Sequence, residues 1–325
     1  MSITPAGLLG LLNIDPLQAV KDAEAVSKHK NSIRPDALAK ARWLSSTSQF
    51  RNWVSDQQFS RLLLVDGFCA PEGIGRTSPL SVFSASLAAM LSQIPSTVVL
   101  HFYCGRYAGL RNRSGGPTEL MRSLIGQLIR HPGKSYPDLN FVDQELYDAV
   151  AARDIVGLCY LFEQIVQRTD PSLTIYCIID NISDFERSFI DWDQPRGAEE
   201  DGVQDADWGA QIMEVFNQIR SLVDDPRDGP PVKALLTSAT RTAHLLDHVD
   251  RESGECVSLV AGTTSSRPFQ GRALAEDIRR MTNTPPPGNQ NRSLRPGAPR
   301  QTRSGLEYDL EMRPRSSGSN MPSDW

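Results

Sequence analysis

No two cysteines in this 325-residue chain have the C-x-x-C spacing; its five cysteines, Cys69, Cys104, Cys159, Cys177 and Cys256, are scattered. Four lie in or near apolar runs, so free buried thiols in a reducing compartment account for them without a disulfide framework. The five histidines make no ligand spacing with them, which argues against a zinc module. No apolar run approaches the ~20 residues that cross a bilayer. The opening MSITPAGLLGLLNIDPLQAV has no basic stretch before its apolar part, and Asp15 interrupts that part, so no secretory signal is read. Basic charge is also short: 34 Lys and Arg against 39 Asp and Glu leave a formal charge of −5 and no nucleic-acid footprint. No internal repeat is evident. A soluble, cytoplasmic protein is expected, with neither a membrane nor a nucleic acid as partner.

What is present is a globular composition, 39% hydrophobic and 22% charged. That length accommodates a doubly wound domain with extensions. The informative stretch is Arg61 to Gln93, RLLLVDGFCAPEGIGRTSPLSVFSASLAAMLSQ. Leu62 to Val65 form a short apolar run, the mark of a buried strand. A loop with Gly67, Gly73 and Gly75 follows, and Ser78-Pro79 open a helix carrying Leu80, Phe83, Leu87 and Leu91. Strand, glycine loop, helix is the setting of a phosphate-binding P-loop.

Laid on G-x-x-x-x-G-K-[ST], the loop puts Ala70 at the first glycine, Gly75 at the second, Arg76 at the lysine and Thr77 at the hydroxyl. Each departure has a chemical meaning. Ala70 carries a Cβ that penalises positive φ. Glu72 brings negative charge to where phosphates lie. Arginine is a planar fork where lysine is a compact point charge on a flexible stem. The shape is that of a nucleotide site, and the residues are those of an impaired one. An ordinary strand–turn–helix fits the same stretch.

Further strands are read at Thr97–Cys104, Ser172–Asp180, Val232–Thr237 and Cys256–Val260. The second of these delivers an acid at its carboxyl end, the Walker B arrangement in which an Asp holds Mg²⁺. Asp184 and Glu186 follow it closely, and Arg241 lies just beyond the 232–237 strand. Helices are expected at 141–151, 155–168, 210–223 and 269–281, with another capped by Thr118. Trp43 and Trp53 belong to a helical approach segment, as packing residues. His101 is expected to be a satisfied core histidine. The chain is divided into a short, loose helical leader (1–35), a P-loop-type domain (36–281) with an acidic flexible insertion (191–208), and a disordered tail rich in Pro, Gly, Ser and Arg (282–325).

Four parts carry a resemblance to a known family: Trp43-Leu44 to Phe50-x-x-Trp53, LLLVDG with GIGRT, IYCIIDNISDFE, and KALLTSATR. Together they resemble the NACHT-type P-loop domain of the STAND class, in the version called nephrocystin-3-like N-terminal domain in large fungal protein families. The resemblance spans about residues 36 to 265. It implies an α/β fold with a parallel sheet and helices on both faces, and a nucleotide-controlled signalling switch using ATP and Mg²⁺. By resemblance Gly73 and Gly75 form the cradle, Arg76 replaces lysine, and Thr77 is the Mg²⁺ hydroxyl. Asp180 is the Walker B acid, Asp184 or Glu186 polarises water, and Arg241 is the sensor-like arginine. Without the Walker A lysine, weak ATP binding with little or no hydrolysis is expected, at most a weak ATPase. The alternative is a pseudo-NTPase scaffold that binds protein partners and no nucleotide. Family members usually continue into helical and repeat domains, whereas here a disordered tail is expected.

Overall fold

The computed structural model describes residues 3–67, 77–108, 115–131, 138–186, 208–225, 229–240, 242, 244–251, 253–261 and 271–283. All of these fall in one unit, Met1–Pro286; the second, Pro287–Trp325, lies outside the described residues. So do most of the acidic insertion and the tail.

Two helices open the chain, α1 (Pro5–Leu12) and α2 (Gln18–Lys28). They are docked rather than loose. Leu8 and Leu12 are fully buried in the core. The Arg122 guanidinium closes the end of α1, donating from Nε to Leu12 O at 2.9 Å and from Nη2 to Asn13 O at 3.0 Å. Bare carbonyls at a helix C-terminus favour a cation there. The approach segment forms α3 (Pro35–Trp43) and α4 (Ser48–Ser55). Thr47 caps α4, and Trp53 is buried, its Nε1 donating to Ala234 O at 3.0 Å.

Then come β1 (Arg61–Asp66), α5 (Pro79–Leu91), β2 (Thr97–Tyr103), α6 (Pro117–Arg130), α7 (Gln144–Ala151), α8 (Ile155–Gln167) and β3 (Thr174–Asp180). The chain continues through α9 (Ser183–Glu186), α10 (Trp208–Asp224), β4 (Val232–Ser238), β5 (Cys256–Ser258) and α11 (Gly271–Asn283). The helices read at 210–223 and 269–281 begin at Trp208 and Gly271, and at two other helix starts the cap residue explains the difference. Thr118 does not cap α6: Pro117 takes the first position and Gly116 the cap. Gly116 has φ of +87°, and a Cβ there would meet the Trp208 indole at 2.6 Å, so glycine is required on both counts. The 141–151 helix begins later, at Gln144, because Asp143 accepts a bond from Leu146 N and ends the preceding loop.

The five strands make one all-parallel sheet in the order β2-β3-β4-β1-β5. Alternate residues face opposite sides. Leu62, Leu64, Leu100, Ile175, Ile179 and Leu236 share a core with α1, α6, α7, α8 and α10. Leu63, Val65, Tyr176, Ile178 and Leu235 share another with α3, α4, α5 and α11. Helices on both faces explain why β3 is buried at every position. On β2, the Gln127 amide pairs with both backbone groups of His101, accepting from N at 3.0 Å and donating to O at 2.9 Å. A side chain thereby covers backbone groups that an outer strand leaves unpaired.

Candidate functional site

The order of strands places a crevice. The chain leaves β1 towards α5, on one face of the sheet; after β4 it goes to Leu245 and Leu246, on the other. β1 and β4 are neighbours, so their carboxyl ends flank a switch point, where open α/β sheets bind ligands. Gly67 leaves β1 at this point. Its N–H donates to Ser238 O at 2.7 Å, and a Cβ there would lie 2.5 Å from Leu80 Cδ1 and 2.8 Å from Ser238 O.

Asp180 ends β3 beside this crevice and is almost fully buried. Its carboxylate accepts from Thr237 Oγ1 of β4 at 2.7 Å and from the Ser81 and Ser84 hydroxyls of α5. Burial pushes its pKa up to about 6; the Ser81, Thr237 and Ser84 hydrogen bonds lower it and nearby Asp184 raises it. Asp180 is therefore a buried carboxyl that holds its proton more tightly than an exposed one. Thr237, the last residue of the strand read at Val232–Thr237, stands beside this acid in the structure.

Asn181 locks the same corner. It sits in the left-handed region, φ +56°, where asparagine is tolerated better than most residues. Its N–H donates to Thr237 Oγ1 at 3.1 Å, its Oδ1 accepts from Ala239 N at 3.0 Å, and its Nδ2 donates to Asp184. Glu186 is buried too, but points elsewhere: its Oε1 accepts from His244 N at 3.2 Å and Leu245 N at 3.0 Å, fixing the segment after β4. Asp184 thus bonds Asn181 close enough to Asp180 for its charge to be felt there, and Glu186 holds a loop. Sequence reasoning assigned no role to Asn181 or Ser81. The Ser78-x-x-Ser81 spacing just before an apolar helix was the available signal for Ser81.

One neighbour on β2 feels this acid. Tyr103 is paired in register with Asp180; its buried hydroxyl has no hydrogen-bond partner among the described residues. Burial, then Asp180 and Asp22, push its pKa upward. His101 is not satisfied at its ring: Nδ1 is buried without a partner among the described residues, and burial lowers its pKa to about 4.

Thr77 is 2% exposed, and its Oγ1 has no hydrogen-bond partner among the described residues. Gly73, Gly75, Arg76 and Arg241 lie outside the described residues. For a magnesium nucleotide the fit is divided. Asp180 and Thr77 supply the hard oxygen donors that Mg²⁺ takes, and an orphaned buried hydroxyl is a donor in want of a partner. The first turn of α5 fits a phosphate poorly, because Pro79 has no N–H and the amides of Ser78 and Ser81 are bonded to each other's hydroxyls.

The nephrocystin 3 N-terminal family model matches residues 40–192. No curated protein and no solved structure matches the chain. The nephrocystin 3 N-terminal match runs from within α3 past β3 and α9, so it takes in β1, α5 and Asp180. Thr237 and the β4 tip that completes the corner fall outside the nephrocystin 3 N-terminal span. Among the described residues, no helix is long and apolar enough to cross a membrane.

Proposed function

We propose that this chain is a degenerate P-loop domain of the NACHT/STAND kind, a cytoplasmic regulatory or signalling module that binds Mg²⁺–ATP weakly and hydrolyses it slowly or not at all. One observation carries the reading. The acid that ends β3 is hydrogen-bonded both to the helix after the glycine loop, through Ser81, and to the neighbouring strand tip, through Thr237. Loop helix, acid and polar strand tip thus converge at the switch point, as phosphoryl-group binding requires.

In this reading Asp180 and Thr77 hold the ion, which supplies neutralisation of phosphate charge. Gly73 and Gly75 let the backbone follow the phosphates, and Arg76 and Arg241 offer planar forks to them. Asp184, bonded to Asn181, is the candidate to orient water. Glu186 is occupied by two backbone amides, which argues for slow turnover. A second reading, a scaffold that binds a protein partner and no nucleotide, is favoured by the bonded amides at the start of α5.

Thermal unfolding with and without millimolar Mg²⁺–ATP separates the two, run on the parent chain and on Arg76→Ala and Asp180→Ala. Ligand at 100 times its Kd stabilises a folded protein by about 2.7 kcal/mol. An upward shift that both substitutions abolish is expected. No shift at any ATP concentration would sink the nucleotide reading and leave the scaffold.

A further inference from the structure

Helix α5 starts with Ser78 as its cap, then Pro79, Leu80 and Ser81. A helix N-terminus leaves four backbone N–H groups without helical partners, and these are the donors that hold an anion. In α5 three of those positions are already spent. Ser78 N donates to Ser81 Oγ at 3.0 Å, Ser81 N donates to Ser78 Oγ at 3.0 Å, and Pro79 has no N–H. The two hydroxyls lie 3.1 Å apart, and both serines are buried.

We propose that this capping box is an autoinhibitory contact: the protein's own serines occupy the donors that would bind a phosphate group, and a polyphosphate enters only by breaking the box. The inference rests on the phosphate-binding reading given above and concerns the regulation of that site. One observation independent of the box points to a missing ligand. Thr77, directly before the cap, has a buried hydroxyl without a hydrogen-bond partner among the described residues. It is an oxygen that the closed box leaves unused.

Ser81 is the residue that opens the box. Its hydroxyl also bonds Asp180, so on giving up Ser78 N it still has an acceptor. A side chain with a second partner leaves at lower cost than one left bare. Because Asp180 is the acid assigned to the ion, the same hydroxyl connects the ion-binding end of the crevice to its phosphate-binding end.

The test is isothermal titration calorimetry of the parent chain, Ser81→Ala and Ser78→Gly with inorganic pyrophosphate, and then with Mg²⁺–ATP. Circular dichroism and the urea midpoint report folding. Ser81→Ala frees Ser78 N, and Ser78→Gly frees Ser81 N while leaving a residue that caps a helix at little cost. The expected result is pyrophosphate binding about five- to tenfold tighter in each folded variant, the gain matching the loss of one cap interaction. Should Ser81→Ala not fold, Ser78→Gly decides. Parent binding that the variants leave unchanged or weaken overturns the autoinhibitory contact and leaves the nucleotide reading standing. Tight binding by the variants with none by the parent upholds the contact and overturns weak binding by the parent. No binding by any of them overturns both.

Discussion

Asp180 Oδ1 and Thr237 Oγ1 lie 2.7 Å apart, joining the tips of two neighbouring parallel strands through a buried carboxylate. This bond matters because the carboxyl, raised to about 6 chiefly by burial, is protonated in the folded chain where the unfolded chain has released its proton. The stability gained from the neutral acid is complete below about pH 4 and is lost as the pH rises through about 6. Asp180→Asn keeps an acceptor for Thr237 and has no proton to lose. Relative to the parent, its stability should grow by roughly 3 kcal/mol between pH 4 and pH 7. Urea titrations at pH 4, 5, 6 and 7 check this, and a difference independent of pH would contradict it.

Lys233 makes the opposite case at the other end of the sheet. It is fully buried in β4, its Nζ donates to Asp56 O, and burial lowers its pKa to about 7. The folded chain releases this proton well before the unfolded one. The stability it contributes is therefore present above about pH 10 and is lost as the pH falls through about 7. Lys233→Met should stabilise the fold at pH 7 by an amount on the order of 2–4 kcal/mol, read as a higher urea midpoint, and the gain should shrink on going to pH 9.5. A Met variant less stable than the parent at pH 7 would show that the bond to Asp56 O outweighs the desolvation.

The leader is held by Asp22. It accepts from Arg106 Nε at 2.8 Å, Tyr107 Oη at 2.5 Å and Gln18 Nε2 at 3.0 Å. Asp22→Ala leaves the guanidinium and phenol without their acceptor. Arg106 keeps some solvent contact, so a loss of about 2–3 kcal/mol is expected, below the range for a fully buried pair. Hydrogen exchange should show the loss of protection concentrated in α2. A change under about 0.5 kcal/mol would mean the contact is dispensable.

Gly67→Ala tests the crevice wall. The added Cβ meets Leu80 and the Ser238 carbonyl, and the strand cannot retreat while Gly67 N bonds Ser238 O. A destabilisation of about 2 kcal/mol or more is expected from this overpacking, read as a lower urea midpoint. Unchanged stability would require β1 and β4 to separate at their tips.

The strands were legible because each is a short apolar run with turn residues on both sides. β1, β2, β3 and β4 fall within two residues of their expected bounds. Strand ends blur by a residue or two because pairing, not composition, ends them, so Ser238 joins β4 through its partner Asp66. The docked leader was harder to foresee. Leu8 and Leu12 make too short a stripe to announce a core contact, and Arg122 and Asp22 act over separations of 110 and 84 residues that no local pattern encodes.

By itself, the sequence determined the alternation of strand and helix, the glycine-bearing loop after β1 and the acid that ends β3. All of these follow from neighbouring residues, through apolar periodicity and backbone preference. Only the tertiary structure decided that β4 lies between β1 and β3, which brings Thr237 to Asp180 and separates the roles of Asp184 and Glu186. Strand order is set by which apolar faces can be buried together, and that is a property of the whole sheet. The structure also showed that the start of α5 is bonded to itself: a hydroxyl can meet an amide or a ligand, and the choice depends on what the fold brings within reach.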